Sequence, residues 1–140
     1  MVPEINIWAV LAATASSLVV GSIWYSRRVF GTWWMKAARV EPTNKSVVHP
    51  IASTLVVSFI TALVLAGSAA IAQHFYGGNF LANSVITAVI LWAGFTAARV
   101  VTHDAFEGRP RKLTLLTIGN ELVTALVMGL VIGAFGFPGA

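Results

Sequence analysis

Four apolar runs separated by short polar stretches set the frame of this 140-residue chain. They fall near Ile5 to Trp24, Val48 to Phe75, Phe80 to Phe106 and Leu113 to Phe137. A helix rises about 1.5 Å per residue and the hydrocarbon core of a bilayer is about 30 Å thick, so about 20 such residues are enough to cross it. The second and third runs exceed that length, which predicts a tilt or an interfacial turn in each. Punctuation supports the divisions. Pro3 precedes the first run, Pro50 falls in the first turn of the second, YGGN at Tyr76 to Asn79 predicts a tight turn, and Pro138 stops the fourth. The pattern therefore predicts an all-α integral membrane four-helix bundle, one four-span domain over residues 1–140.

A fifth element is expected at about residues 27–40, between the first two spans. On a helical projection Val29, Phe30, Trp33, Trp34, Ala37 and Val40 share one arc, and Arg28, Lys36 and Arg39 lie on the opposite arc. That division describes a short amphipathic helix in the headgroup plane, where tryptophan's apolar ring and polar edge both find a partner.

Inside the spans, small residues recur every fourth position: Ala9, Ala13, Ser17 and Gly21 in the first, Ala62, Ala66 and Ala70 in the second, Ala125, Gly129 and Gly133 in the fourth. Helices in lipid gain little from apolar burial against one another, so such stripes mark close backbone approach. The stripes fit packing within one chain or between subunits, and a homo-oligomer or a subunit of a membrane complex is expected.

Composition agrees with the membrane reading and excludes several chemistries. The chain is 57% apolar and 10% charged, against about a quarter charged in ordinary soluble domains. It has no cysteine, which removes thiolate catalysis, disulfides and iron–sulfur ligation. The net charge of +4 does not point to nucleic acid, because the basic residues flank apolar spans; anionic lipid headgroups are the expected partners. Arg27, Arg28, Lys36, Arg39 and Lys45 lie in the first loop, and Arg109, Arg111 and Lys112 in the third. Loops rich in Lys and Arg stay cytoplasmic, so both termini are expected outside. A cleaved signal peptide is the rival reading of the first span, but no basic residue precedes its apolar run.

The candidate chemistry is a polar constellation in the last two spans. Arg99 lies roughly 10 Å inward from Phe106 and Glu121 roughly 13 Å inward from Lys112, which places them at one depth. An isolated charge there costs a few kcal/mol, so an Arg99–Glu121 ion pair is expected. Thr114, Thr117, Asn120, Glu121 and Thr124 form a polar stripe, and Arg99, Thr102, His103 and Phe106 share a face of span three. Thr54, Ser58 and Thr61 add hydroxyls from span two. Asp104 points away from the Arg99 face, toward the headgroups or the first loop. These residues predict a polar pocket open to the cytoplasm. His49 and His74 lie at opposite ends of span two and complete no metal set, and no phosphate-cradling glycine motif or catalytic triad is present. No cofactor and no catalytic residue is expected, and the role is read as non-enzymatic.

The stretches NIWAV, GSIWYSRRVFGTWW and LWAGFTAARVVTHDAFEGRP resemble a bacterial membrane family catalogued as domain of unknown function 1761. The resemblance rests on Gly21, Trp24, Tyr25, Ser26, Phe30, Gly31 and Trp33 after span one, and on His103, Phe106, Glu107, Gly108, Arg109 and Pro110 after span three. Family members carry proline after the Trp-Tyr-Ser motif, where this chain has Arg27. The resemblance implies a small four-span protein of a bacterial inner membrane, with no assigned activity. Both marked motifs fall at the same end of outward-to-inward spans, so Trp24, Tyr25, Phe30, His103 and Phe106 are expected at one cytoplasmic mouth, with Arg99, Thr117, Asn120 and Glu121 in the polar pocket. The expected activity is the handling of a small molecule or ion, with an accessory subunit or a lipid-binding protein as the alternatives.

Overall fold

A computed structural model describes residues 4–39 and 48–138, which leaves Pro3, Val40 and Lys45 outside. Its elements are α1 (Ile7–Trp24), α2 (Gly31–Ala38), α3 (Val48–Tyr76), α4 (Phe80–Leu91), a π-helical turn (Trp92–Ala97), α5 (Ala98–Glu107) and α6 (Arg111–Phe135). The segment from α4 through α5 is one continuous span, so among the described residues four helices are long and apolar enough to cross a membrane. Local chemistry sets their ends. The Asn6 side chain accepts from the Trp8 amide at 3.0 Å and that of Asn79 accepts from the Ala82 amide at 3.2 Å, capping α1 and α4. Gly77 and Gly78 turn the chain between α3 and α4 with φ of 67° and 82°, values that L side chains rarely adopt. The Asn83 amide closes that turn by donating to the Gly77 carbonyl at 2.9 Å.

The spans stand in a square in chain order: α1 packs on α3 and α6, and α4 on α3 and α6. Small residues decide how closely. A Cβ at Gly129 would lie 3.1 Å from the Ser84 carbonyl oxygen, and one at Gly133 would lie 2.7 Å from the Leu81 Cα. The α6 stripe is thus occupied within the chain, by α4. The core formed by Ala9, Val10, Ala13, Ala62, Leu65, Ala66, Ala88, Met128 and Ile132 sits toward the end that carries the Tyr76–Asn79 turn. Toward the other end, which carries the basic loops and is called here the basic end, α3 leaves the bundle. All of its buried residues lie between Ala62 and Ala70, and residues 48–57 are exposed.

The interfacial element is shorter than 27–40. Residues Tyr25 to Phe30 form turns, and α2 begins only at Gly31, where a Cβ would overlap the Tyr25 carbonyl oxygen. Arg28, Trp33, Lys36 and Arg39 are exposed and Trp34 is half-buried, so the basic and aromatic arcs survive over this shorter helix. Its C-cap, Arg39, is left-handed with φ of 55°. The Tyr25 and Trp34 rings meet edge to face at 5.6 Å, which ties α2 to the end of α1.

Candidate functional site

The departure of α3 opens a cleft of about 830 Å³ between the basic-end halves of α1, α3 and α6. Hydroxyl and amide side chains recur along its walls between apolar ones such as Leu18, Ile51 and Val57: Ser17 and Ser22 from α1, Ser53, Thr54, Ser58 and Thr61 from α3, and Asn120 and Thr124 from α6, with Tyr25 near the mouth. A second cleft of about 380 Å³ lies between α3, the α4–π-turn segment and α6, and its walls are apolar, with Ile60, Val64, Leu91 and Phe95 prominent. Thr61, Glu121, Thr124 and Met128 belong to both. Glu121 therefore stands where a polar space and an apolar space meet.

Among the described residues Glu121 has no hydrogen bond and no cation within 4 Å; the ion pair found there is Arg109–Asp104 at 3.8 Å. The expected Arg99–Glu121 pair is not formed. Arg99 and His103 are exposed on the outside of the bundle, with Thr102 and Phe106 beside them, so the shared face exists but points away from the bundle. The π-turn supplies the reason. Counted from buried Ala88 at 3.6 residues per turn, Phe95, Arg99 and Thr102 would return to the bundle side. One residue more in a wide turn rotates the downstream helix by roughly 100°, which turns Thr96 and Val100, both half-buried, to the bundle side in place of Phe95 and Arg99. Phe95 is 75% exposed, while Asp104 is only 6% exposed.

Asp104 is thus the enclosed acid, contrary to its expected place at the headgroups. Thr114 donates its Oγ1 proton to Asp104 Oδ2 at 2.6 Å, joining α5 to α6. The loop between them folds back on the same residue, since the Arg109 amide donates to the Asp104 carbonyl at 3.0 Å beyond Gly108, which has φ of 69°. The spacing Asp104…Arg109…Thr114 across a short loop was a usable sequence signal. Nothing in the sequence marks Trp92, whose indole N–H donates to the Ile118 carbonyl at 2.9 Å and fixes the π-turn against α6.

The remaining expected residues divide. Asn120 lines the polar cleft, 8% exposed, and its Oδ1 has no partner. Thr117 donates to the Leu113 carbonyl at 3.0 Å and does not line either cleft. Trp24 lies against Gly119, whose missing side chain leaves space for the indole, and its buried Nε1 is unpartnered. Tyr25 lines the cleft. Burial, and then the Glu121 carboxylate, hold its phenol above the usual tyrosine range, so it remains a proton donor. No group of three or more His, Cys, Asp or Glu that could hold a metal occurs among the described residues.

The model of the family described as protein of unknown function DUF1761 matches residues 8–133. The chain belongs to the DUF1761 family. No curated protein and no solved structure matches it. Both motifs that carry the resemblance lie at the basic end of this DUF1761 fold, and they do different work. The first turns the chain into α2 and contributes Tyr25 to the cleft wall; the second caps α5 through Gly108 and holds Asp104.

Proposed function

We propose that the protein handles a small cationic solute in the polar cleft, with Glu121 as its anionic partner, and carries out no covalent chemistry. The observation that carries this reading is Glu121 itself, a carboxylate bordering both clefts without a counter-charge from the described residues. Ten residues beyond Arg111, it lies roughly 15 Å along α6, near the middle of a core about 30 Å thick. A carboxylate at that depth is costly unless it is hydrated, neutralised or met by a cation. The cleft's hydroxyls can replace part of a cation's hydration shell, and the orphaned Asn120 Oδ1 is a second acceptor. The basic loops favour a cytoplasmic mouth by the preference of Lys and Arg for that side of a bacterial inner membrane.

Flux of tetraethylammonium into proteoliposomes under an imposed pH gradient tests the reading, with Glu121→Gln beside wild type. Glu121→Gln is expected to reduce both flux and equilibrium binding by about tenfold, the effect of losing one favourable charge interaction. Equal binding by the two proteins, or binding by neither, would remove Glu121 from this role.

A further inference from the structure

We propose that the cation taken at Glu121 is amphiphilic, a single-chain alkylammonium whose head occupies the polar cleft and whose tail lies in the apolar cleft between α3 and the π-turn. The proposal rests on the cation reading above and specifies its substrate class. Two spaces, one richer in hydroxyl and amide groups and one more apolar, share one wall at Thr61, Glu121, Thr124 and Met128. A small hydrophilic cation uses only the first. The second has walls of Ile60, Val64, Leu91 and Phe95, which offer a charged solute nothing and suit a hydrocarbon chain.

The geometry also gives the tail a route. Ile60 and Val64 are 53% and 54% exposed and Phe95 is 75% exposed, so the apolar cleft opens sideways between α3 and α4, where lipid lies against the spans. The polar cleft runs from Pro50 and Ile51, near the basic end, to Glu121. An amphiphile in the leaflet on that side already has its head toward the basic end and its tail toward the midplane. It can slide its ammonium along Ser53, Thr54 and Ser58 without its chain leaving an apolar medium. Because the tail passes from lipid to an apolar wall, it gains little free energy from the transfer, and selectivity falls on the head. Glu121 and the orphaned Asn120 Oδ1 would choose the positive head; the lateral opening would admit the chain.

The test uses the full-length protein in phosphatidylcholine proteoliposomes and dodecyltrimethylammonium carrying a diazirine near the tail end, with labelled residues mapped by mass spectrometry. Labelling is expected at Ile60 to Leu65 and Leu91 to Thr96, competed by unlabelled dodecyltrimethylammonium and reduced about tenfold by Glu121→Gln. A dodecyl sulfate analogue with the same tail should label these segments about tenfold less, a comparison that needs no variant. Val64→Trp, at a half-open position in the cleft wall, should suppress tail labelling while Glu121-dependent tetraethylammonium binding persists. Equal labelling by the sulfate analogue or by a diazirine phosphatidylcholine would show a groove that holds any lipid chain, and would overturn the proposal. Glu121-dependent binding of tetraethylammonium with no labelling of the apolar cleft would overturn the amphiphile and leave the cation site standing. Binding of neither probe would remove both.

Discussion

Asp104 is the only ionisable side chain that the bundle buries among the described residues, and its partners show what such a position requires. Thr114 supplies a hydrogen bond at 2.6 Å, and Arg109 a charge at 3.8 Å whose own side chain is 42% exposed. The two are not equivalent: an exposed cation contributes about 0–1 kcal/mol, whereas leaving a buried polar group unpaired costs roughly 1–3 kcal/mol. Thr114→Val should therefore destabilise the protein more than Arg109→Ala, as read from unfolding in detergent. Asp104→Ala with Thr114→Val should lose less than the sum of the single losses, since contacting groups share one interaction. Strictly additive losses would show that the bond carries no stability. Gly31 makes a second case at this scale. A methyl group there meets backbone, the Tyr25 carbonyl, so neither can yield by rotating a side chain. Gly31→Ala is expected to cost about 1–3 kcal/mol, the range for overpacking, and to disturb ligand binding through Tyr25. Unchanged stability with unchanged binding would contradict the tightness of that turn.

Among the elements, the π-turn at Trp92–Ala97 decides which residues the site contains. Hydropathy locates the spans well. The run at Phe80 to Phe106 matches the helical stretch ending at Glu107, and the run at Leu113 to Phe137 matches Arg111–Phe135, because apolar length is a property of composition that no packing detail alters. Which way a face points is different. Arg99, Thr102 and His103 are legible as neighbours on one face, but their direction depends on one extra residue in the turn preceding them, and WAGFTA carries no proline to announce it, its single Gly94 being tolerated in ordinary helices as well. The Arg99–Glu121 pair fails for that reason, while Glu121, Asn120 and Tyr25, on or beside helices without such a turn, line a cleft between α1, α3 and α6. Deleting Gly94, which is exposed and has nothing near its Cα substituent position, tests the account. The deletion removes the extra residue together with the wide turn, so α-helical spacing should return while α5 keeps its facing, with Asp104 still against Thr114. Thr114→Val should then cost the deleted chain about as much as it costs the parent. A Thr114→Val penalty that vanishes in that background would mean that the turn does not hold one inserted residue.

The whole molecule is a bundle closed at one end and open at the other, and the distribution of side chains accounts for this. Alanine and glycine let the spans meet from Ala62 to Ala70 of α3 and along Gly129 and Gly133 of α6, while the basic-end half of α3 presents Ser53, Thr54 and Ser58 to a gap. A closed end beside the uncharged Tyr76–Asn79 turn and an open end beside the basic loops give the molecule a direction, and the side of the membrane each end faces decides from which compartment Glu121 is reached. By the positive-inside preference the open end is expected to face the cytoplasm, since the segment between α1 and α3 and the segment from Gly108 to Lys112 hold eight of the nine Lys and Arg residues. The chain has no cysteine, so a single introduced thiol reports its side without background. Tyr76→Cys, at a 77% exposed position beside the uncharged turn, should react with a membrane-impermeant maleimide applied to right-side-out vesicles. Thr32→Cys, exposed on α2, should react only after the vesicles are opened. The opposite pattern would turn the cleft to the outside, and a cation would then reach Glu121 from the external leaflet with the same chemistry and the reverse direction.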